Sequence, residues 1–415
     1  MLPSSAKCEG FGTVIEKRTR EMALAQGTGG SSSPESVALG EVLAFFGTVA
    51  DFAVGSAPEE GDRIASLAAA MAQIAEISEE EKDALYFAAR LRNIGGLGNP
   101  AFAKGEERSE RDKMMAGWDV PVDGARISAR IEALPQSTAD IIRWQAECWD
   151  GTGYPDQLRW SGIPHTAQLL HLARMYARIG DPEEALSAIT MESGRCFAPA
   201  YVRTFVMWFH TYGGEIEYVP PPYHCLRSER TSVREVLDCL SAQVDAHNAT
   251  PGRAGRIAGR CAEIGACLGF DSEQLRQVTL ASMLFGIGEL RAQAQEASQF
   301  DPLGRLGIET RAQHAVDAAK LVAQCPYLAE LAPVLRARAE WYDGTGAPEG
   351  LRHDAIARPA HALAVSIAFD ALDESYRSRI TEERALPIVR LETAAGTQFD
   401  PEMVRALADV VKARA

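Results

Sequence analysis

The feature that most limits what this chain can fold into is that it repeats itself. Trp149-Asp150-Gly151-Thr152-Gly153-Tyr154-Pro155 returns as Tyr342-Asp343-Gly344-Thr345-Gly346-Ala347-Pro348, an offset of 193. The same offset carries Glu147 onto Glu340, Leu91 onto Leu284, Ile94-Gly95 onto Ile287-Gly288, and Arg63-Ile64 onto Arg256-Ile257. Further on, Gly194, Phe197 and Pro199 answer Gly396, Phe399 and Pro401 at a longer offset, which implies a short insertion in the second copy. Landmarks so far apart that share one offset point to a tandem duplication, and 415 residues then divide into two domains of ordinary size.

The pattern inside each copy is helical. Apolar residues recur at helical spacing from Pro34 almost to the C-terminus, strand-like alternation is scarce, and the expected fold class is all-α. Ser33 followed by Pro34 and Glu35 reads as a helix start. Ser78 with Glu81 reads as a capping box, and Asp271 with Gln274 stands at the matching place in copy two. Asp150 and Asp343, each ahead of Gly-Thr-Gly, are expected to bond amides of their own turns. Residues 1–33, ending in a Gly/Ser-rich run, read as a flexible tail. Domain one is placed at 34–215, a Pro/Gly-containing linker at 216–228, and domain two at 229–415.

Charge and composition narrow the function classes. A formal net charge of −15 opposes DNA, RNA and anionic membranes, while leaving room for a local basic pocket that takes a small anion. The eight cysteines form no CxxC pair and read as free thiols. Neither a signal peptide nor a run of apolar residues long enough to span a bilayer is evident, so a cytoplasmic location with no membrane association is expected.

Glu147-Cys148-Trp149-Asp150-Gly151-Thr152-Gly153-Tyr154-Pro155 resembles the HHExWDGxGYP signature of HD-GYP proteins. Ala88 through Gly95 sits where that family has its A-x-L-H-D-I-G-K segment. In copy two, Phe369-Asp370-Ala371-Leu372 with Tyr376-Arg377 resembles the DxxDAL…YR helix, and Gly396 through Pro401 the GTQFDP segment. The resemblance implies a helical bundle holding two or three iron or manganese ions, and hydrolysis of cyclic di-GMP. The metals would make the hydroxide nucleophile and clamp the phosphate.

Set against that pattern, the ligand positions of this chain are changed. In copy one they read Glu60, Arg92, Asn93, Val120, Gln145, Ala146 and Arg174. In copy two they read Arg253, Phe285, Gly286, His314 (one residue off the common offset), Arg338, Ala339 and Ile367. Only His314 keeps a ligand type, and one imidazole does not chelate a dinuclear centre. The expectation is therefore no iron or manganese, no other cofactor and no catalytic residues.

Two readings of the substituted arginines stay open. Arg92 and Arg174, and Arg253 and Arg338 in copy two, stand either as fixed charges that grip a phosphate or as plugs paired with local acids such as Glu147 and Glu60. Arg92, Asn93, Arg174, Glu147, Arg253 and Arg338 are the ligand-binding candidates. Asp150, Gly153, Tyr154 and Pro155 are the interaction-loop candidates, with a diguanylate cyclase domain as the partner that the resemblance implies. The resulting expectation is a catalytically inactive tandem HD-GYP-like signalling protein, a nucleotide sensor or scaffold, with a cyclic dinucleotide as ligand and a homodimer as a candidate assembly. The alternative is a divergent metal-dependent phosphodiesterase acting on cyclic di-GMP or a related phosphoester. A transcription regulator is disfavoured by the negative charge and by the lack of a helix-turn-helix module after Pro401.

Overall fold

Helix starts set the local structure. Ser33 accepts from the Ser36 amide at 3.1 Å, and Pro34 supplies a preset φ at the first position of α1 (Pro34–Val54). The capping boxes expected at Ser78/Glu81 and Asp271/Gln274 are both present, opening α3 (Glu79–Leu91) and α11 (Ser272–Leu284). The computed structural model describes residues 33–57, 59–98, 110–291, 303, 307–377 and 386–414. Apart from Ser33, the expected N-terminal tail lies outside them.

Among the described residues the chain is all-α. The first half continues with α2 (Glu60–Ile74), α4 (Glu110–Ser128), α5 (Thr138–Arg143), α6 (His165–Ile179), α7 (Pro182–Met191) and α8 (Pro199–Tyr212). The second half has α9 (Val233–His247), α10 (Arg253–Cys267), α12 (Ile308–Val322), α13 (Ala332–Ala337), α14 (Arg358–Arg377), α15 (Leu386–Thr393) and α16 (Pro401–Arg414). Extended pairing among the described residues is limited to isolated β-bridges, and two of them match: Ser193 with Phe197, and Ala395 with Phe399. Packing is also alike in the two halves. Helix α2 lies between α3 and α6, as α10 lies between α11 and α14.

Helix α1 departs from one expectation. It is long and apolar enough to cross a membrane by length and composition. Here most of its apolar stretch is buried in the fold, where Leu39, Val42, Leu43, Phe46 and Val49 join the core.

The halves share that core rather than meeting across a wet joint. Helix α1 packs on α9, and one continuous hydrophobic cluster takes in residues of both halves. A Cβ at Gly40 would fall 2.1 Å from the Tyr223 ring, so the connecting segment lies directly on α1. Arg291 Nε donates to the Phe52 carbonyl at 2.6 Å, and its guanidinium covers the Phe52 ring at 4.1 Å. Buried His247 lies with Nδ1 2.9 Å from the Leu97 carbonyl and Nε2 3.2 Å from the Leu290 carbonyl. Leu97 and Leu290 are themselves related by the offset of 193.

Candidate functional site

The Gly-Thr-Gly turns are built by short-range bonds. Asp150 Oδ1 accepts from the Thr152 amide at 2.9 Å, and Asp343 Oδ1 from the Thr345 amide at 2.9 Å, as the sequence suggests. Gly153 has no room for a side chain: a Cβ would lie 2.0 Å from the Cys148 nitrogen, and one at Gly346 would lie 2.1 Å from the Trp341 nitrogen. Behind each turn a buried carboxylate holds the loop. Glu147 accepts from the amides of Asp156 (2.6 Å) and Leu158 (3.0 Å). Glu340 accepts from Glu349 (2.6 Å), Gly350 (3.1 Å) and Leu351 (3.3 Å). Burial pushes the Glu147 carboxyl up, and the loop amides oppose that shift. Glu147 is thus a loop anchor and forms no pair with an arginine. Tyr154 and Pro155 are half-buried; the Tyr154 amide donates to the Ala146 carbonyl at 3.1 Å.

In the first half, the substituted ligand positions converge. Arg92, 1% exposed, meets Asp51 at 3.1 Å and Glu60 at 3.0 Å. Asn93 donates to the other oxygen of Asp51 at 2.8 Å. Gln145 donates to the Arg92 carbonyl at 3.0 Å, and Arg174 donates to the Gln145 carbonyl at 3.2 Å. Burial, then repulsion from Arg92, lowers the Arg174 guanidinium to about 10. Burial pushes the Asp51 carboxyl up, against the attraction of Arg92 and Arg90. The guanidinium of Arg92 therefore fills this locus and is satisfied by two acids.

The second half is open at the corresponding place. A cavity there is lined by Arg253, Glu289, Arg311, His314, Arg338, Glu340, Trp341, Ile367, Gln398 and Phe399, among others. The register of His314 is fixed by a close backbone approach. A Cβ at Gly288 would lie 2.0 Å from the His314 carbonyl, and one at Gly95 would lie 2.2 Å from the Val120 carbonyl. His314 thus stands where Val120 stands in the first half. Phe285 packs between two guanidinium groups, with Arg253 at 4.9 Å and Arg338 at 5.7 Å from its centroid. Arg253 pairs with Glu289 at 3.0 Å.

Arg338 differs from Arg92. It is 8% exposed, and among the described residues its buried Nε and Nη2 find no hydrogen-bond partner. Burial, opposed by the attraction of Glu289 and reinforced by repulsion from Arg253 and Arg311, lowers this guanidinium to about 10. A buried donor without an acceptor is costly, and an anion in this cavity would satisfy it. It does not fit a dinuclear iron or manganese centre. Three arginines line it, and Glu340 is already spent on loop amides.

A different donor set lies beside the first turn. The structure joins Cys148 and Cys196 through their sulfurs, so these two are not isolated thiols. Together with His171 they bring three ligand atoms to within 4.8 Å of one another. Sequence reasoning missed this cluster, and it also missed Asp51, Glu289 and Arg311. Cys148 and Cys196 are 48 residues apart with no motif spacing to signal them. Asp51 falls on Val244 under the repeat offset, so the duplication gave it no echo.

Comparisons with known proteins agree with this architecture. A family model described as HD domain matches residues 50–193 and 238–403. The 3′3′-cGAMP-specific phosphodiesterase 3 of Vibrio cholerae is 23% identical, over 89% of this chain and 94% of its own length. A cyclic di-GMP phosphodiesterase of the same species is 31% identical over 29% of this chain and 28% of its own length. A crystal structure of a cyclic GMP-AMP-specific phosphodiesterase from V. cholerae shares the fold, with a TM-score of 0.64 at 21% identity, covering 90% of this chain and 97% of that one. Two expectations are corrected by these findings. The absence of enzymatic activity is overturned by end-to-end similarity to a phosphodiesterase, and the absence of a metal by the chain's place among the HD-GYP proteins, which are metal-dependent.

Proposed function

Because the chain belongs to the HD domain family, in its HD-GYP form, we propose that it is a phosphodiesterase acting on a cyclic dinucleotide, with the second-half cavity as the phosphate subsite. The observation that carries this reading is the buried guanidinium of Arg338, whose Nε and Nη2 have no hydrogen-bond partner among the described residues, in a cavity that also holds Arg253 and Arg311. A phosphodiester brings two non-bridging oxygens, which match the planar donors of a guanidinium. Attack on phosphorus spreads more negative charge over those oxygens, and donors fixed in advance stabilise that charge most. His314 lines the same cavity and is the group placed to pass a proton to the leaving oxygen. Phe285, held between Arg253 and Arg338, orients both cations. Water would be the nucleophile that forms the new P–O bond as the leaving oxygen departs; a family metal would supply it as hydroxide at neutral pH, but the cavity residues do not match a dinuclear centre.

In the same reading, residues 34–215 and 229–415 are two copies of one domain joined by 216–228, and the first has lost its cavity to Arg92. The recurring turn bonds and helix pairings support this. The test is product analysis of the full chain incubated with 3′3′-cGAMP and with cyclic di-GMP, beside equilibrium binding of both. Turnover or binding that is lost in Arg338→Gln and kept in Arg174→Gln is expected. Neither binding nor turnover with either nucleotide, or an Arg338→Gln chain that behaves like the parent, overturns the proposal.

A further inference from the structure

Cys148 follows the loop anchor Glu147 directly, and Cys196 lies in the corner between α7 and α8. Two backbone bonds clamp these segments together: Trp149 N to Cys196 O at 3.0 Å and Asp150 N to Arg195 O at 2.9 Å. His171 enters from α6, its ring edge-on to Phe197 at 5.1 Å. We propose that in the reduced chain Cys148, His171 and Cys196 bind one borderline-soft divalent ion of the zinc class, with water as the fourth ligand.

The imidazole is set up as a ligand. Its Nδ1 lies 3.1 Å from the Glu147 carbonyl, which only accepts, so Nδ1 carries the proton and Nε2 keeps its lone pair. Metal-bound histidines commonly donate the second nitrogen to a carbonyl in this way. Two thiolates and one imidazole select zinc-like ions over magnesium or manganese. All three residues are only half-buried, which leaves a coordination position for water.

The second half supplies an internal control. The same backbone clamp recurs, with Tyr342 N to Gln398 O at 3.1 Å and Asp343 N to Thr397 O at 2.9 Å. The positions that answer Cys148, His171 and Cys196 there are Trp341, Ala364 and Gln398. The turn therefore closes without the donors, so they are not needed merely to form it. An ion at this point would tie the first turn to α6 one helical turn from Arg174, and would stand apart from the second-half cavity.

The test is metal loading of the full chain, purified under thiol reductant. Zinc is counted per chain by elemental analysis. Cobalt(II) is titrated as a spectroscopic probe, because thiolate ligands give it an intense charge-transfer absorption. One ion per chain and a thiolate–cobalt band are expected. Both should be lost in Cys148→Ser and in Cys196→Ser, and kept in Cys267→Ser, which alters an exposed cysteine elsewhere. Circular dichroism checks that the variants fold, and the spectrum of the parent chain decides the matter if they do not. A parent chain that takes up no cobalt with a thiolate band, or keeps its Cys148–Cys196 disulfide under reductant and stays metal-free, overturns the proposal. So does equal loading of the serine variants.

Discussion

Replacing Arg338 with methionine should make the protein more stable while removing its anion site. In the folded chain the guanidinium is lowered to about 10 from its ordinary 12.5, chiefly by burial. At about 1.4 kcal/mol per pH unit, holding the charge in place costs about 3 kcal/mol of folding free energy. Methionine fills much of the same volume against Phe285 and brings no charge. It gives up the cation–π contact, worth about 1 kcal/mol. The balance is a stabilisation of about 2 kcal/mol. Urea unfolding near neutral pH reads this as a higher midpoint at unchanged slope, and titration with 3′3′-cGAMP in parallel reads the loss of binding. A variant destabilised by 1 kcal/mol or more would refute the reasoning, because it would mean that the buried nitrogens of Arg338 already have a partner that the methionine removes.

Arg92→Met should move the opposite way, losing about 3–5 kcal/mol, because Asp51 and Glu60 would both lose the guanidinium that pairs with them; unchanged urea stability would rule that out. Glu340→Gln keeps one acceptor oxygen for three loop amides and should cost about 1–3 kcal/mol, with faster proteolysis at residues 343–350. A cleavage rate equal to the parent's would count against the anchor role. The His247 imidazole is lowered by burial, with its two carbonyl contacts opposing, so the unfolded chain takes up the proton first as pH falls. Stability should therefore drop from just above the ordinary histidine pKa of about 6.5 downwards. His247→Gln should flatten that slope in a pH series of thermal melts, and an identical slope in the variant would exclude His247 as its source.

What was legible in the sequence was mostly local. A cap or an Asx turn is set by residues a few positions apart, which is why Ser78 and Asp150 read correctly. The register of His314 was also within reach, because the repeat offers a second copy to compare. Pairings across the fold were not. Asp51 meets Arg92 over 41 residues, and its helix carries no family motif that would mark it. The same distance hid Cys148 from Cys196, since only the folded corner brings their segments together. Charge sign was readable at Arg92 and Arg338 alike, but partner count was not. One is saturated by two acids and the other has buried nitrogens without a partner among the described residues, and the proposed anion site rests on that difference.

The packing of α1 on α9 has a consequence for how the protein is made. The ribosome delivers the chain at about 5–20 residues per second, so α9 follows α1 by roughly 10–40 seconds. Throughout that interval α1, a membrane-length apolar helix already packed on α3 of its own half, waits for α9 to cover its remaining face, and Tyr223 of the connecting segment, laid over Gly40, reaches it before α9 does. A transcript cut short after the first half would release a product with that face bare. Such a fragment should be a chaperone client or an aggregate rather than a working domain. Selection on the first half is then partly selection on its conduct during translation.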